Sequence, residues 1–418
     1  MFRVAASESP KSLRLLGLAA VVCSALTLVG CGGGSRAKEY APERLVAFGD
    51  ENSLIETYLS ASLNPAGSAE KAVQGLAYTM NSVVLTDRLY CTDLTATAAC
   101  VSASALTDSV TDFDAHAITT SHSYYFDATN SGVLENILTR IEIGQGTVAS
   151  TLTALKRSTN VIYACASSAN WVQVVAHAFN LGFASLCPLD RAGAETYATY
   201  GAKVQDVAGQ VSANMNRLGD GTLVTIMAGQ HDVLELFAQV KAQTLSLADA
   251  QAQLRGRAAT LAEVVRSIIR TDAKVLLALT PDLSESPYPA AQGLTEGQRQ
   301  SLKELVKAFN ERLYIRELGN ESGRSLAGIN PDAFLNPTTR SASYNYADTS
   351  CDFTKVLRPD GSTIGSGDAD YAKRVHYCTN ESLRSTSAVY MWADETHLTP
   401  TGHNLIGSSA FSRATNQF

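Results

Sequence analysis

Leu45-Val46-Ala47-Phe48-Gly49-Asp50-Glu51-Asn52-Ser53 is the stretch whose reading decides the fold. Four apolar residues in a row that stop at Gly-Asp read as a short strand buried on both faces and ended by a turn. The signal recurs at Val161-Ile162-Tyr163-Ala164, at Leu223-Val224-Thr225-Ile226-Met227, and at Lys274-Val275-Leu276-Leu277-Ala278-Leu279 before Thr280-Pro281. Amphipathic stretches separate these runs and predict helices at 171–180, 203–217, 231–242, 247–270 and 295–317. Short apolar strands alternating with helices indicate an α/β fold with a mostly parallel sheet. In such sheets ligands bind beyond the C-terminal ends of the strands, which directs attention to the residues after Phe48 and Met227.

Residues 82–160 break this rhythm. They are rich in Ser, Thr, Ala and Asp, carry Tyr124-Tyr125-Phe126, and predict a helix near 133–142. They read as an insertion between the first two strands. Asn330 to Asn380 reads as a long loop tied by a disulfide, and no repeat of solenoid period is present.

The first 30 residues read as an export signal: Arg3, Lys11 and Arg14 precede an apolar run from Leu15 to Gly30 that is short for a membrane span. Leu28-Val29-Gly30-Cys31 resembles the lipobox of bacterial lipoproteins, which implies a lipidated Cys31. Gly32-Gly33-Gly34-Ser35 then suits a flexible tether over residues 31–43. Glycine rather than aspartate at position 32 implies the outer membrane, facing the periplasm or the surface, and more than one acyl chain gives stable anchoring.

Of eight cysteines, Cys23 leaves with the signal and Cys31 is the lipidation site. The remaining six form sequential couples, and an oxidising compartment closes them as Cys91–Cys100, Cys165–Cys187 and Cys351–Cys378. No Cys-x-x-Cys or paired Cys/His spacing points to a metal, and no cofactor is expected. The formal net charge is −7 for the chain, and 30 basic against 39 acidic residues remain after residue 30. With no basic stripe, nucleic acid is excluded as a partner. Residues 44–418 are read as a single domain.

Four segments carry a resemblance to the SGNH, or GDSL, hydrolases. Val46-Ala47-Phe48-Gly49-Asp50 with Ser53 is similar to the family's opening block, a strand ending in Gly-Asp-Ser. Asn170-Trp171-Val172-Gln173 resembles the second block, where Ser168 and its neighbours would supply a backbone oxyanion donor. Met227-Ala228-Gly229-Gln230-His231-Asp232 resembles the third, Gly-x-Asn-Asp. Asp394-Glu395-Thr396-His397-Leu398-Thr399-Pro400-Thr401-Gly402-His403 matches the fifth nearly residue for residue. The resemblance implies a three-layer α/β/α sandwich of flavodoxin-like kind, and a carboxylate, Asp394, that orients the base His397.

Three places depart from the pattern, the mildest being the second-block glycine, in whose place Ser167-Ser168-Ala169 could still donate a backbone N–H. Glu51 stands where the serine nucleophile belongs, and a carboxylate attacking an ester would give an anhydride rather than an acyl-enzyme. His231 stands at the oxyanion asparagine. Ser53 is the nearest hydroxyl, although α-helical geometry would turn it about 200° from position 51. Glu51 could otherwise sit in the positive end of the following helix, or activate water together with His397. Asp50 is expected to bond its own turn, Trp171 and His403 to pack, and Gly49, Asp50, Ser168, Asn170, Gly229 and Asp232 to line the cleft.

Two functions follow as expectations. One is a lipid-anchored hydrolase of a small ester, acylated glycan or lipid, with Ser53 attacking, His397 and Asp394 as base and orienter, and His231 on the oxyanion. The other is a catalytically inactive surface lipoprotein that binds a glycan, lipid or protein partner. The completeness of the Asp394–His397 block favours the first, and Glu51 and His231 favour the second.

Overall fold

The computed structural model describes residues 40–60, 71–81, 83–87, 89–91, 100–102, 120–121, 123–127, 132–136, 139–143, 156–160, 162–163, 169–183, 191–336, 344–358, 363–379, 382–385 and 389–418; for 57–60, 71–74 and 83–163 it describes backbone alone. The export signal, Cys31, its tether up to residue 39, Ser168 and the Cys165–Cys187 couple lie outside the described residues.

Residues Ala41–Phe418 form one compact unit around a parallel sheet. Among the described residues its strands are β1 (Arg44–Gly49), β2 (Ala194–Thr196), β3 (Thr222–Met227), β4 (Lys274–Ala278) and β5 (Leu326–Ile329), in the order β2-β1-β3-β4-β5 with every neighbouring pair parallel. This is the flavodoxin-like order. β3 is buried along its whole length and β1 from Leu45 onward, which is why both appear in the sequence as unbroken apolar runs.

Helices α1 (Trp171–Ala178) and α6 (Pro400–Gln417) pack on each other, while α2 (Val204–Ala213), α3 (Gln230–Lys241), α4 (Leu247–Ile269) and α5 (Glu296–Asn310) form a second group. Their starts obey capping chemistry: Ser246 accepts from the Asp249 N–H, and Thr295 and Gln298 form a capping box. No helix among the described residues is long and apolar enough to cross a membrane.

The sequence expectations need three corrections here. Ile162–Tyr163 is not the second strand of the parallel sheet; it pairs antiparallel with Val83–Asp87. The place beside β1 belongs to β2, whose three residues Ala-Glu-Thr are too few and too polar to register as an apolar run. Residues 133–142 are not helical but contribute Gly132–Asn136 and Thr139–Ile143 to antiparallel pairs. The insertion also starts earlier than residue 82, since Ile55–Ser60 already pairs antiparallel with Lys71–Ala77.

Farther on, β6 (Tyr344–Thr349) pairs parallel with β7 (Val389–Trp392), and Cys351 is bonded to Cys378. Cys91 and Cys100 face each other in backbone register.

The end of β1 is pinned tightly. Gly49 has φ +129°, its N–H donates to Gln210 Oε1 (2.9 Å), and Gln210 Nε2 returns a bond to its carbonyl (3.0 Å). A Cβ at this position would collide with the Met227 carbonyl. Gly49→Ala therefore combines backbone strain with overpacking, each about 1–3 kcal/mol, and urea denaturation should show a loss of about 2–6 kcal/mol. Gly209→Ala, on α2 with open space around it, should gain about 0.5–1 kcal/mol; equal effects for the two would contradict this account of Gly49.

Candidate active site

The C-terminal ends of β1 and β3 lie side by side, Gly49 in register with Met227. Asp50 caps a single 3-10 turn, Glu51–Ser53, with its Oδ1 accepting from Asn52 N and Nδ2, both at 3.0 Å. Glu51 is the first residue of that turn. On the neighbouring strand, Gly229 (φ +114°) turns the chain into α3, whose second residue is His231. The loop after β2 contributes Gly201, and the turn between β7 and α6 contributes Asp394 and His397.

The last three of these sources converge on the Glu51 carboxylate carried by the first. His231 Nε2 lies 2.6 Å and His397 Nε2 3.2 Å from its Oε1, and Gly201 N–H donates to Oε2 at 2.9 Å. On its far side the His397 ring meets Asp394, with Nδ1 at 2.8 Å from Oδ2 and 2.9 Å from Oδ1. Asp394 Oδ1 also accepts the backbone N–H of Thr396 (2.8 Å) and of His397 (2.7 Å). Thr79 Oγ1 donates to the Leu398 carbonyl, and the Ala393 N–H to that of His397, which fixes the turn. Asp394 and His397 are 4% exposed and Glu51 0%.

This arrangement determines where the protons are. With Glu51 and Asp394 both ionised, His397 has a carboxylate against each ring nitrogen, and a carboxylate accepts and does not donate, so the ring answers with hydrogen on both nitrogens. Burial alone would strip the proton from His397, but the charge and hydrogen bonds of Asp394, aided by Glu51, override it and raise the ring to about 10. Burial likewise favours a neutral Glu51, yet the bonds and charges of His231 and His397 hold it far below the usual carboxylate range. His231 is raised because contact with Glu51 outweighs its burial. Asp394 is lowered despite burial by the His397 charge. Asp50 is pushed up to about 7 by burial and by the adjacent Glu51 charge.

Ser53 does not reach His397. In a 3-10 turn successive residues rotate about 120°, so a side chain two positions on points elsewhere. Ser53 Oγ accepts from Trp171 Nε1 at 3.1 Å, and Ser53 is 0% exposed. This corrects the reading of Ser53 as nucleophile. His231 donates to Glu51 instead of standing free for an oxyanion.

The other expected residues have structural tasks. Asn170 caps α1 and donates to the Leu54 carbonyl, and Asp232 accepts from Val204 N–H and pairs with Arg257. Trp171 and His403 are buried, and the His403 ring nitrogens have no partner among the described residues.

Several contributors have a role that their residue type does not announce, among them Gly201 and Tyr200, whose segment Tyr200–Val204 resembles only a connecting stretch of the family. Gly201 acts through its backbone, which leaves no trace in residue type. Tyr78 lies 6.0 Å from the His397 ring, stacks on His376 at 4.8 Å and meets Tyr200 at 5.0 Å, and Tyr200 lies 6.1 Å from His231. Together these rings surround the imidazoles. No group of three or more His, Cys, Asp or Glu side chains among the described residues is arranged to hold a metal ion.

No family model matches the chain, and no curated protein matches it. Solved structures of similar shape include an extracellular lipase from Streptomyces rimosus, at 17% identity over 54% of this chain and 81% of that one, with a TM-score of 0.33. An α/β hydrolase from the metagenome of Lake Arreo, Spain, is 13% identical over 59% and 81% of the two chains, with a TM-score of 0.28. A catalytic mutant of an acetylxylan esterase from Geobacillus stearothermophilus is 13% identical over 60% and 82%, with a TM-score of 0.27.

The proton placement has a consequence for stability. His397 is raised from 6.5 to about 10, so its contribution is complete below pH 6.5 and is lost as pH rises through 10. His231 acts in the same direction. His376 and His403, lowered by burial from 6.5 to about 4 and about 3, act oppositely, and their effect is complete by pH 6.5. Glu51 and Asp394, both lowered, contribute stability that is lost in acid. Thermal melts should therefore show Tm falling from pH 6.5 to 10, with a shallower fall in Glu51→Gln. A flat or rising wild-type Tm across that window would contradict the assignment.

Proposed function

We propose that this chain is a catalytically silent relative of the SGNH hydrolases, an exported and lipid-anchored protein that keeps the scaffold for binding. The observation that carries this reading is the closure of the site. A general base needs a free lone pair, and in this arrangement His397 has none. A nucleophile needs an approach, and Glu51 is 0% exposed with both oxygens accepting hydrogen bonds. Water activation by Glu51 fares no better, because a base works best with a pKa near the working pH and Glu51 is held far below it. The lipobox-like Cys31 and its glycine tether support a membrane anchor, with the outer membrane as its location.

One observation favours a second reading, an ester hydrolase: the Asp394–His397 contact at 2.8 Å has the geometry of a triad's orienter and base. That reading requires His397 to release a proton it holds to about 10.

A fluorophosphonate probe and p-nitrophenyl esters distinguish the two. Wild type should be neither labelled nor active. Glu51→Ser removes the anion from His397 Nε2 and places a hydroxyl before it, so it should be labelled and turn over esters about 10²-fold or more above the background hydrolysis seen with wild type, the scale of general-base catalysis. Both gains should vanish when His397→Ala is added. Wild-type turnover that disappears in His397→Ala would overturn the silent reading in favour of the hydrolase.

A further inference from the structure

Outside the Asp394–His397 turn lies a cavity of about 470 Å³ walled by Phe353, Val356, Ile364, Tyr371, Arg374 and Arg384. Its walls are preset. Cys351, bonded to Cys378, holds the segment bearing Phe353 to the segment bearing Tyr371 and Arg374. The Arg384 N–H donates to the Ser350 carbonyl (2.9 Å), and its Nε to that of Cys351 (3.3 Å). The Arg374 guanidinium stacks on Phe353 at 4.4 Å and on Tyr371 at 4.7 Å, with its Nη2 at 3.1 Å from both Glu395 oxygens.

Among the described residues the charges in this cavity do not cancel. Asp352 on its rim is committed, accepting from Thr354 N and Oγ1 and pairing with Lys355 at 3.0 Å. Arg374 is balanced by Glu395. Arg384 is exposed, and no carboxylate among the described residues pairs with it. Among the described residues the cavity thus presents a guanidinium with no carboxylate partner beside aromatic rings, on a chain of net charge −7. Such a fork recognises a carboxylate by paired N–H donors. Tyr371 is 37% exposed and contributes an aromatic ring to the lining, and the Thr354 and Ser366 hydroxyl oxygens add hydrogen-bond acceptors.

We infer that this cavity binds an acidic sugar residue, a uronate, with its carboxylate on Arg384 and the apolar face of its ring against Tyr371. The site rests on the binding reading above for its biological role, and the binding itself is independent of it. Preset walls reduce the ordering cost of such a ligand.

Isothermal titration of the full mature chain with trigalacturonate, maltotriose and a blocked triglutamate peptide tests it, with phosphonate labelling run separately. Trigalacturonate should bind, weaken at least tenfold in both Arg384→Ala and Tyr371→Ala, and weaken in high salt; maltotriose should not bind. No trigalacturonate binding to the wild type would overturn the site, as would affinity unchanged in Arg384→Ala, equal maltotriose binding, or tighter triglutamate binding. Wild-type phosphonate labelling would overturn the silent reading and leave this site standing. Circular dichroism of both variants checks that a lost affinity is not lost folding.

Discussion

A carboxylate with no access to solvent must be compensated by its surroundings, and the site is organised by that requirement at Glu51. Moving an ion of this size out of water costs several kcal/mol even after relaxation. Here the cost is offset by two imidazole N–H groups and one backbone N–H, and the chain of compensation continues through His397 to Asp394. Removing a member would leave the charges of this network out of balance, and breaking a buried pair costs about 3–5 kcal/mol where the partner is left without any counter-charge. What resembles a catalytic triad therefore stands as a four-membered ionic network in which the base is also a structural cation.

The fold brings this network together at a single edge. Parallel strands deliver successive loops to their common C-terminal end, so Glu51 after β1, Gly201 after β2 and His231 after β3 become neighbours although up to 180 residues separate them. The left-handed glycines matter because they aim those loops. Gly49 lets β1 approach the Met227 carbonyl, and Gly229 allows α3 to start against Phe309 and Thr280, where a Cβ would collide. Glu51 and His231 also meet each other in space. Glu51 reaches toward position 231, and His231 reaches back to 2.6 Å from its Oε1.

Much of this was legible in the chain itself, for identifiable reasons. β1, β3 and β4 lie inside the sheet, and burial on both faces produces the apolar runs that mark them. β2, a three-residue edge strand, and Leu-Ala-Gly-Ile in β5 lack that signature, whereas Ile162–Tyr163 shows it and pairs elsewhere. The Asp394–His397 pairing was readable because both partners lie in one turn. The fate of Ser53 was not, since it depends on a 3-10 turn and on where Trp171 lies. The role of Gly201 could not be read, because every residue but proline has an N–H.

The central claim is that His397 carries two protons, and long-range ¹H–¹⁵N NMR of the imidazole rings measures this directly. At pH 8 the account predicts that both His397 nitrogens show imidazolium shifts, the ring holding its charge until about 10. A neutral His397 at that pH, with an unprotonated Nε2, would contradict it and return the ring to service as a base.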